Sequence, residues 1–427
     1  MDCRIEAMLE FLDHAHSAYH AAAALVWELE AAGYTCLSES EKWELEAGGK
    51  YYLTRNTSSV VAFRVPEKTP AGFMITASHV DRPTFKYKEN GQLVDRYTRI
   101  GVEQYGGPLM HTWFDRPLSV AGRAVVETEE GVEARLVDID RDLLMIPNLA
   151  IHMNRKANEG VPVNVAVDML PLAGDKEDAG KLETLLEEAA GGKILAHDLF
   201  LYNRQKSAVW GMEEQYFSAA GVDDSECAWC CTQGFLQAKE AESVPVLCVF
   251  DNEEIGSLTR QGAASSLLEN VLERICESLG VDRYCMLAQS FAVSVDNAHA
   301  LHPNHPETSD AKNAPMMNAG IVIKHHAGQK YTTDGLSAAI FRKVCSKAGV
   351  PVQNFYNRAD ALGGSTLGYL SLSHVSVPSV DIGLAQLAMH SAYETAGVQD
   401  ALYLMETIEN FYGTSLECPG DGTFVIK

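Results

Sequence analysis

The sequence has no apolar run approaching the roughly 20 residues that span a bilayer, which argues against a helical membrane anchor. Its first residues, Met1-Asp2-Cys3-Arg4-Ile5-Glu6, lack a basic segment leading into an apolar core, so no secretory leader is expected. Positive charge is scarce: 34 Lys and Arg stand against 58 Asp and Glu, a formal net charge of −24. That balance disfavours nucleic acid or an anionic membrane surface as a partner. Cysteine is thin as well, ten in 427 residues, too few for a disulfide scaffold. One C-x-x-C occurs, Cys227 to Cys230 with Cys231 adjacent, and no second pair or histidines at matching spacing complete a closed zinc site. At helical spacing these thiols are expected to line a buried face, reduced, in a cytoplasmic protein.

What is present suits a globular enzyme-sized chain, with 46% apolar and 22% charged residues. At roughly 150 residues per domain the length suggests two or three domains. Phe11 to Tyr34 reads as one amphipathic helix, followed by paired strands at Lys50–Arg55 and Ser59–Phe63. Gly72–Ala77 and Val244–Phe250 are continuous apolar runs, as expected of strands buried on both faces of a parallel sheet. After Gly221 strands and helices alternate: helix Glu226–Ala241, helix Gly262–Leu279, strand Phe291–Val295, helix Gly335–Ala348, strand Ser376–Ile382. The pattern predicts an α/β fold, a mostly parallel sheet covered on both faces, carried by residues 1–88 and 215–427. Between them the texture changes to alternating hairpins such as Leu118–Val126 with Val132–Val137, so 89–214 is expected to be an inserted β-rich domain.

Metal-type residues recur directly after the apolar strands. Ser78-His79-Val80-Asp81, Asp251-Asn252-Glu253-Glu254, Asp296-Asn297-Ala298-His299 and Met389-His390-Ser391 each occupy such a place. In open parallel sheets the ligand crevice lies beyond the carboxyl ends of the strands, so separate loops would deliver these groups to one site. Singly, each has an ordinary alternative: a satisfied buried His79, a solvated Glu253-Glu254 pair, an Asp223-Asp224 that merely caps a helix. Together they point to metal. Asp81, two residues from His79, can accept the other ring N–H and orient the imidazole. One glutamate of the adjacent pair can bind metal while its neighbour takes a proton. Mixed His and carboxylate donors suit zinc, with cobalt or manganese as alternatives, over calcium or magnesium. Five candidate ligands exceed the three of a single catalytic zinc, whereas two ions about 3.5–4 Å apart sharing one carboxylate use all five.

At this point the chain resembles the aspartyl aminopeptidases, two-zinc exopeptidases. The match runs nearly end to end through Ser78–Pro83, Tyr105–Arg116, Ile146–His152, Asp251–Ser257, Ala298–Asn304 and Gln386–Ser391. The resemblance implies a three-layer α/β/α sandwich, an inserted dimerisation domain, and self-association into dimers and a tetrahedral dodecamer. It implies two divalent ions per subunit, zinc before cobalt or manganese. Asp223 would bridge them, His79 and Asp296 would complete one site, and Glu254 and His390 the other. Glu253 would be the general base and Asp81 would orient His79. His152 would reach a neighbouring subunit's active site, and Lys324 would face an acidic substrate side chain. The sequence departs from the family in Gly221-Val222-Asp223-Asp224-Ser225, in Arg358–Thr366 and at Tyr393, which bears on the shape of the substrate pocket.

The implied reaction is removal of the N-terminal residue, Asp or Glu, from peptides with a free N-terminus, with Glu253 shuttling the proton of an activated water. His152 could stabilise the developing oxyanion. The alternatives are an aminopeptidase of the same fold with neutral side-chain preference, a related deacylase, a catalytically silent self-assembling scaffold, and a sensor of divalent metal. Retention of all five ligands and the base speaks against the scaffold, and Glu253 beside Glu254 is unneeded in a sensor.

Overall fold

Strands without a single exposed residue form the centre of the molecule, and their burial on both faces follows from their composition. A computed structural model describes residues 2–361, 363, 364, 366 and 374–427, so Leu362 and Ser365 of the departing Arg358–Thr366 stretch lie outside the described residues. Nine strands make the main sheet, in the spatial order Thr35–Cys36, Lys50–Arg55, Ser59–Arg64, Val244–Phe250, Phe73–His79, Phe291–Val295, Ser379–Gly383, Ile321–His325 and Val352–Tyr356. The four from Val244–Phe250 to Ser379–Gly383 run parallel, and antiparallel pairings flank them. Every residue of Phe73–His79, Val244–Phe250 and Phe291–Val295 is buried.

Strand alternation divides these side chains between two cores. Met74, Leu247 and Val249 pack with the helices Cys3–His14, Ala18–Ala31, Val222–Gln237, Gly335–Ala348 and Val398–Tyr412. Phe73, Ile75, Val246 and Cys248 face the opposite way, against helix Leu267–Leu279. The result is a mixed, mostly parallel sheet between two helical layers, the α/β class read from the alternation of elements.

A second sheet of six antiparallel strands draws its strands from Thr84–Val94 to Ile194–Asn203 and has its own core, closed by Leu182, Leu186 and Ala190 of helix Lys181–Ala190. Strand Thr84–Val94 runs across the expected limit between 88 and 89. Before residue 214 the chain has already entered a third, five-stranded sheet, in which Ala208–Trp210 pairs with Tyr216–Ala219 and then Glu394–Gly397.

Element ends differ from expectation where local hydrogen bonding intervenes. The single helix expected over Phe11–Tyr34 is two, Cys3–His14 and Ala18–Ala31, because Ser17 takes an extended conformation and caps the second through the N–H of His20. Helix Gly262–Leu279 begins only at Leu267, since Gly262 sits in a turn closed by Thr259. Helix Glu226–Ala241 runs instead from Val222 to Gln237, and the strand expected at Ser376 starts at Ser379, just past Pro378. Cys227, Cys230 and Cys231 are buried on that helix as their spacing predicts, and all ten cysteines are free.

Candidate metal centre

Parallel register brings the strand ends level. Phe250 pairs across from His79, and Phe291–Val295 lies alongside, so the segments after these strands open on one side. His79 is the last residue of its strand, Asp251–Glu254 follow Phe250, and Asp296 follows Val295. Asp223 sits at the start of helix Val222–Gln237, where Gly221 provides the cap and both aspartates depart from helical geometry. His79, Asp223, Glu253, Glu254, Asp296, Lys324 and His390 thus line one crevice, walled further by Tyr331, Phe355 and Thr366.

Within it Asp223 is central. Its Oδ1 lies 3.6 Å from His79 Nε2 and its Oδ2 lies 3.7 Å from His390 Nε2. His390 Nε2 is also 3.5 Å from Glu254 Oε1. Both rings are turned by their second nitrogens. His79 Nδ1 faces the Asp81 carbonyl at 3.2 Å and the Asp81 carboxylate at 3.4 Å, and His390 Nδ1 faces the Gly107 carbonyl at 3.0 Å. Each Nε2 is therefore presented as a donor atom toward the crevice, the tautomer a metal requires. Lys324 Nζ donates to the Asn297 carbonyl at 2.7 Å and stands 3.6 Å from Asp296 Oδ2. Burial alone would lower the ammonium's affinity for its proton, but Asp296 and neighbouring acids hold it above the usual lysine range.

The electrostatics of the cluster call for cations. Burial, reinforced by mutual repulsion, pushes Asp223, Asp224 and Glu254 well above the carboxylate range and Glu253 up to about 8. Burial would lower His79, yet Asp81, Asp224 and Glu253 around it hold it well above an ordinary histidine. Oδ1 of Asp223 and Oδ1 of Asp224 are buried without a hydrogen-bond partner among the described residues. Orphaned carboxylate oxygens beside imidazole Nε2 atoms are the donors a divalent ion would satisfy. His79, Asp223 and Glu254 bring one donor atom each within 4.8 Å of one another, and so do Asp223, Asp224 and Asp296.

Asp81 does more than its spacing to His79 suggests. Its carboxylate accepts the backbone N–H groups of Glu253 and Glu254 at 3.0 and 3.1 Å, fixing the loop that carries both glutamates. A second buried carboxylate plays the matching part and was not legible in the sequence: Glu394 accepts the N–H of Asp223 at 3.2 Å and that of His390 at 2.8 Å. The one sequence signal for it is its place four residues after His390. His152, by contrast, stands on an exposed turn and is not part of the crevice wall.

A parallel-sheet fold whose strand ends carry this donor set fits a metal-dependent hydrolase. The chain belongs to the aminopeptidase I zinc metalloprotease (M18) family, whose model matches residues 11–412. It is 43% identical over 421 residues to a probable M18 family aminopeptidase 2 of Clostridium novyi, covering 95% of this chain and 97% of that one. Its structure resembles that determined by cryo-electron microscopy for the Ape4 and Nbr1 complex, with a TM-score of 0.93 at 35% identity over 96% of this chain and 85% of that one. The mApe1 dodecamer of S. cerevisiae aligns with a TM-score of 0.84 at 26% identity, over 96% of each chain. The protein is accordingly a zinc aminopeptidase, and no helix among the described residues is long and apolar enough to cross a membrane.

Proposed function

We propose that this aminopeptidase uses two metal ions bridged by Asp223 to remove an N-terminal Glu or Asp from peptides, with Glu253 as general base. The observation that carries the two-ion reading is the Asp223 carboxylate, one oxygen turned to His79 and the other to His390. His79 and Asp296 would hold one ion, Glu254 and His390 the other. When bound, the ions supply Lewis acidity for the scissile carbonyl and lower the pKa of water toward neutrality.

The remaining work belongs to the side chains. Glu253, lining the crevice beside the ligands, accepts a proton from the attacking water and delivers it to the leaving amine. Asp81 keeps His79 turned with Nε2 inward and pins the Glu253 and Glu254 amides. Lys324 supports the acidic preference: a buried ammonium has three donors, and Asn297 takes one, so it can offer another to a substrate carboxylate. The apolar wall of Tyr331 and Phe355 favours a second reading, in which neutral side chains are preferred.

Exposed His152, together with the exposed Leu149, Ile151 and Met153 beside it, supports a pairing of subunits through the inserted domain, within dimers and a dodecamer like that of mApe1, His152 then serving a neighbour's site. Unpaired thiols support a cytoplasmic setting.

Turnover of peptides beginning with Glu, Asp, Leu or Lys tests the reading, before and after chelation and with zinc, cobalt or manganese restored. Chelator-sensitive cleavage favouring Glu and Asp is expected. Cleavage of Leu alone would retain the metal centre and discard the acidic pocket, and inactivity with every metal would discard the proposal. A metal content of two ions per chain is expected in the restored enzyme.

A further inference from the structure

Of the Tyr105–Arg116 motif only the Gly107 carbonyl, which faces His390 Nδ1, has a place in the site as described, yet Tyr105 lines a cavity with Asp81 and Asn252 next to the base loop. Tyr105 ends strand Tyr97–Tyr105 of the inserted six-stranded sheet. Its hydroxyl donates to Asp81 Oδ2 at 2.8 Å and accepts from Asn252 Nδ2 at 2.8 Å. Both partners bear on Glu253. Asp81 holds the Glu253 and Glu254 amides, and Asn252, at φ +65°, turns the chain into the short helix that begins with Glu253. The Asn252 amide oxygen accepts from Thr259 Oγ1 and from Gln261 Nε2, each at 2.7 Å. Its nitrogen end therefore faces Tyr105 and Asp251, with no freedom to flip. Directly after Tyr105 the backbone closes on the same loop: Gly106, at φ +69°, leaves room where a Cβ would come within 3.1 Å of Glu254 Cβ.

We propose that the Tyr105 hydroxyl is a positioning residue of the peptidase reaction: by linking Asp81 to Asn252 it aims the Glu253 carboxylate from a strand of the inserted domain. The inference rests on Glu253 as general base. A plain packing role is served by the ring alone, which meets Phe200 edge-on at 5.3 Å. The hydroxyl adds nothing to that contact. What it does is join Asp81, which holds the base loop by its amides, to Asn252, which leads into that loop. Without it the loop keeps its anchors to Asp81, Thr259 and Gln261 but loses the cross-link that fixes Asp81 and Asn252 relative to each other. Misplacement of a catalytic group by about 1 Å is enough to cost on the order of 10²-fold in rate.

Tyr105→Phe, which retains the ring, Asn252→Gly, which retains the left-handed backbone, and the double variant test this in the zinc-restored full chain. Each single change is expected to lower kcat by about 10–100-fold with KM and bound metal unchanged, as is typical when a partner behind a metal site is lost. The double variant should lose no more than Asn252→Gly alone, because that change already removes the Tyr105 link together with the contacts to Thr259 and Gln261. Wild-type kcat in Tyr105→Phe overturns the inference. So does a fall that comes with loss of metal or with a raised KM, which would assign the hydroxyl to metal retention or to the substrate pocket. If Tyr105→Phe does not fold, Asn252→Gly reads the same link. A fully active Glu253→Gln would instead overturn the proposed function, whereas a normal Tyr105→Phe beside an inactive Glu253→Gln overturns only this inference.

Discussion

At Glu253 and Glu254, the geometry of a strand end gives neighbouring residues of one type different surroundings. Glu254 turns inward, its Oε1 3.5 Å from His390 Nε2, while Glu253 lines the crevice without an ion-pair contact among the described residues. Replacing Glu253 by Gln preserves size and packing and removes only the ability to take a proton. A fall in kcat of about 10²–10⁴-fold is expected, with bound metal intact. Kinetics paired with metal analysis checks it, since unchanged turnover would remove the base assignment. His79→Ala makes the contrast. It deletes a donor atom rather than a proton acceptor, so metal is expected to be lost along with activity.

At the scale of loops and strands, the site is a set of backbone amides gathered by two buried carboxylates. Asp81 grips the Glu253–Glu254 loop and Glu394 grips Asp223 and His390. Each of the proposed ions would therefore have a carboxylate behind its ligands, Asp81 behind His79 and Glu394 behind Asp223 and His390. In Glu394→Gln one of the two amides meets an NH₂ group instead of an oxygen and is left without an acceptor. Affinity for metal should weaken by about 10–100-fold, with the chain still folded. Competition against a chromophoric chelator measures this directly, and wild-type affinity would show that Glu394 serves the fold alone.

These two carboxylates also mark where sequence reading succeeds and fails. The central strands were legible because Phe73–Ala77 and Val244–Phe250 are unbroken apolar runs, and a run that ends in His or Asp-Asn-Glu-Glu announces a change of task. The five proposed ligands and the base lie within or just after such ends, or at a helix start, and the structure brings all of them into one crevice. Glu394 left no such trace, because its partners are main-chain groups as far as 171 residues away and any residue supplies an N–H. Tyr105 was visible only as part of a motif, its partner Asp81 being 24 residues distant in the connection between the two sheets. Helix boundaries failed for a related reason. The break at Ser17 depends on one side-chain cap that the apolar pattern of Ala21, Leu25 and Leu29 does not register.

Across the whole molecule, a crevice built by one sheet and braced by another works only if the two sheets stay in register, and specific polar ties join them. His16, between the first two helices, places Nδ1 2.8 Å from Asp138 Oδ2 of the inserted sheet. Arg123 of the inserted sheet donates to the Asn56 carbonyl at 2.8 Å and lies over the Tyr19 ring at 4.6 Å. Asp198 holds Arg123 in that pose through contacts of 3.0 Å from both Nε and Nη2, and takes Lys86 at 2.7 Å besides. Burial alone would raise the Asp198 carboxyl, but Lys86 and Arg123 outweigh it and hold the group below its ordinary value. A carboxylate depressed in the folded state stabilises it above the unfolded pKa, near 3.9, and that contribution fades as pH falls through the lower folded value. Asp198→Asn should therefore cost about 1–2 kcal/mol near neutral pH, the range for a charged hydrogen-bonding partner that is only partly screened. The gap in Tm between the two proteins should begin to narrow below about pH 4 and close only once the pH passes beneath the depressed folded value, where both carry an uncharged group at that position. Thermal unfolding over that pH range measures the closure. A gap that stayed constant into acid would mean the side chain acts through packing, and that the inserted sheet is held to the catalytic one by apolar contact instead of by this charge.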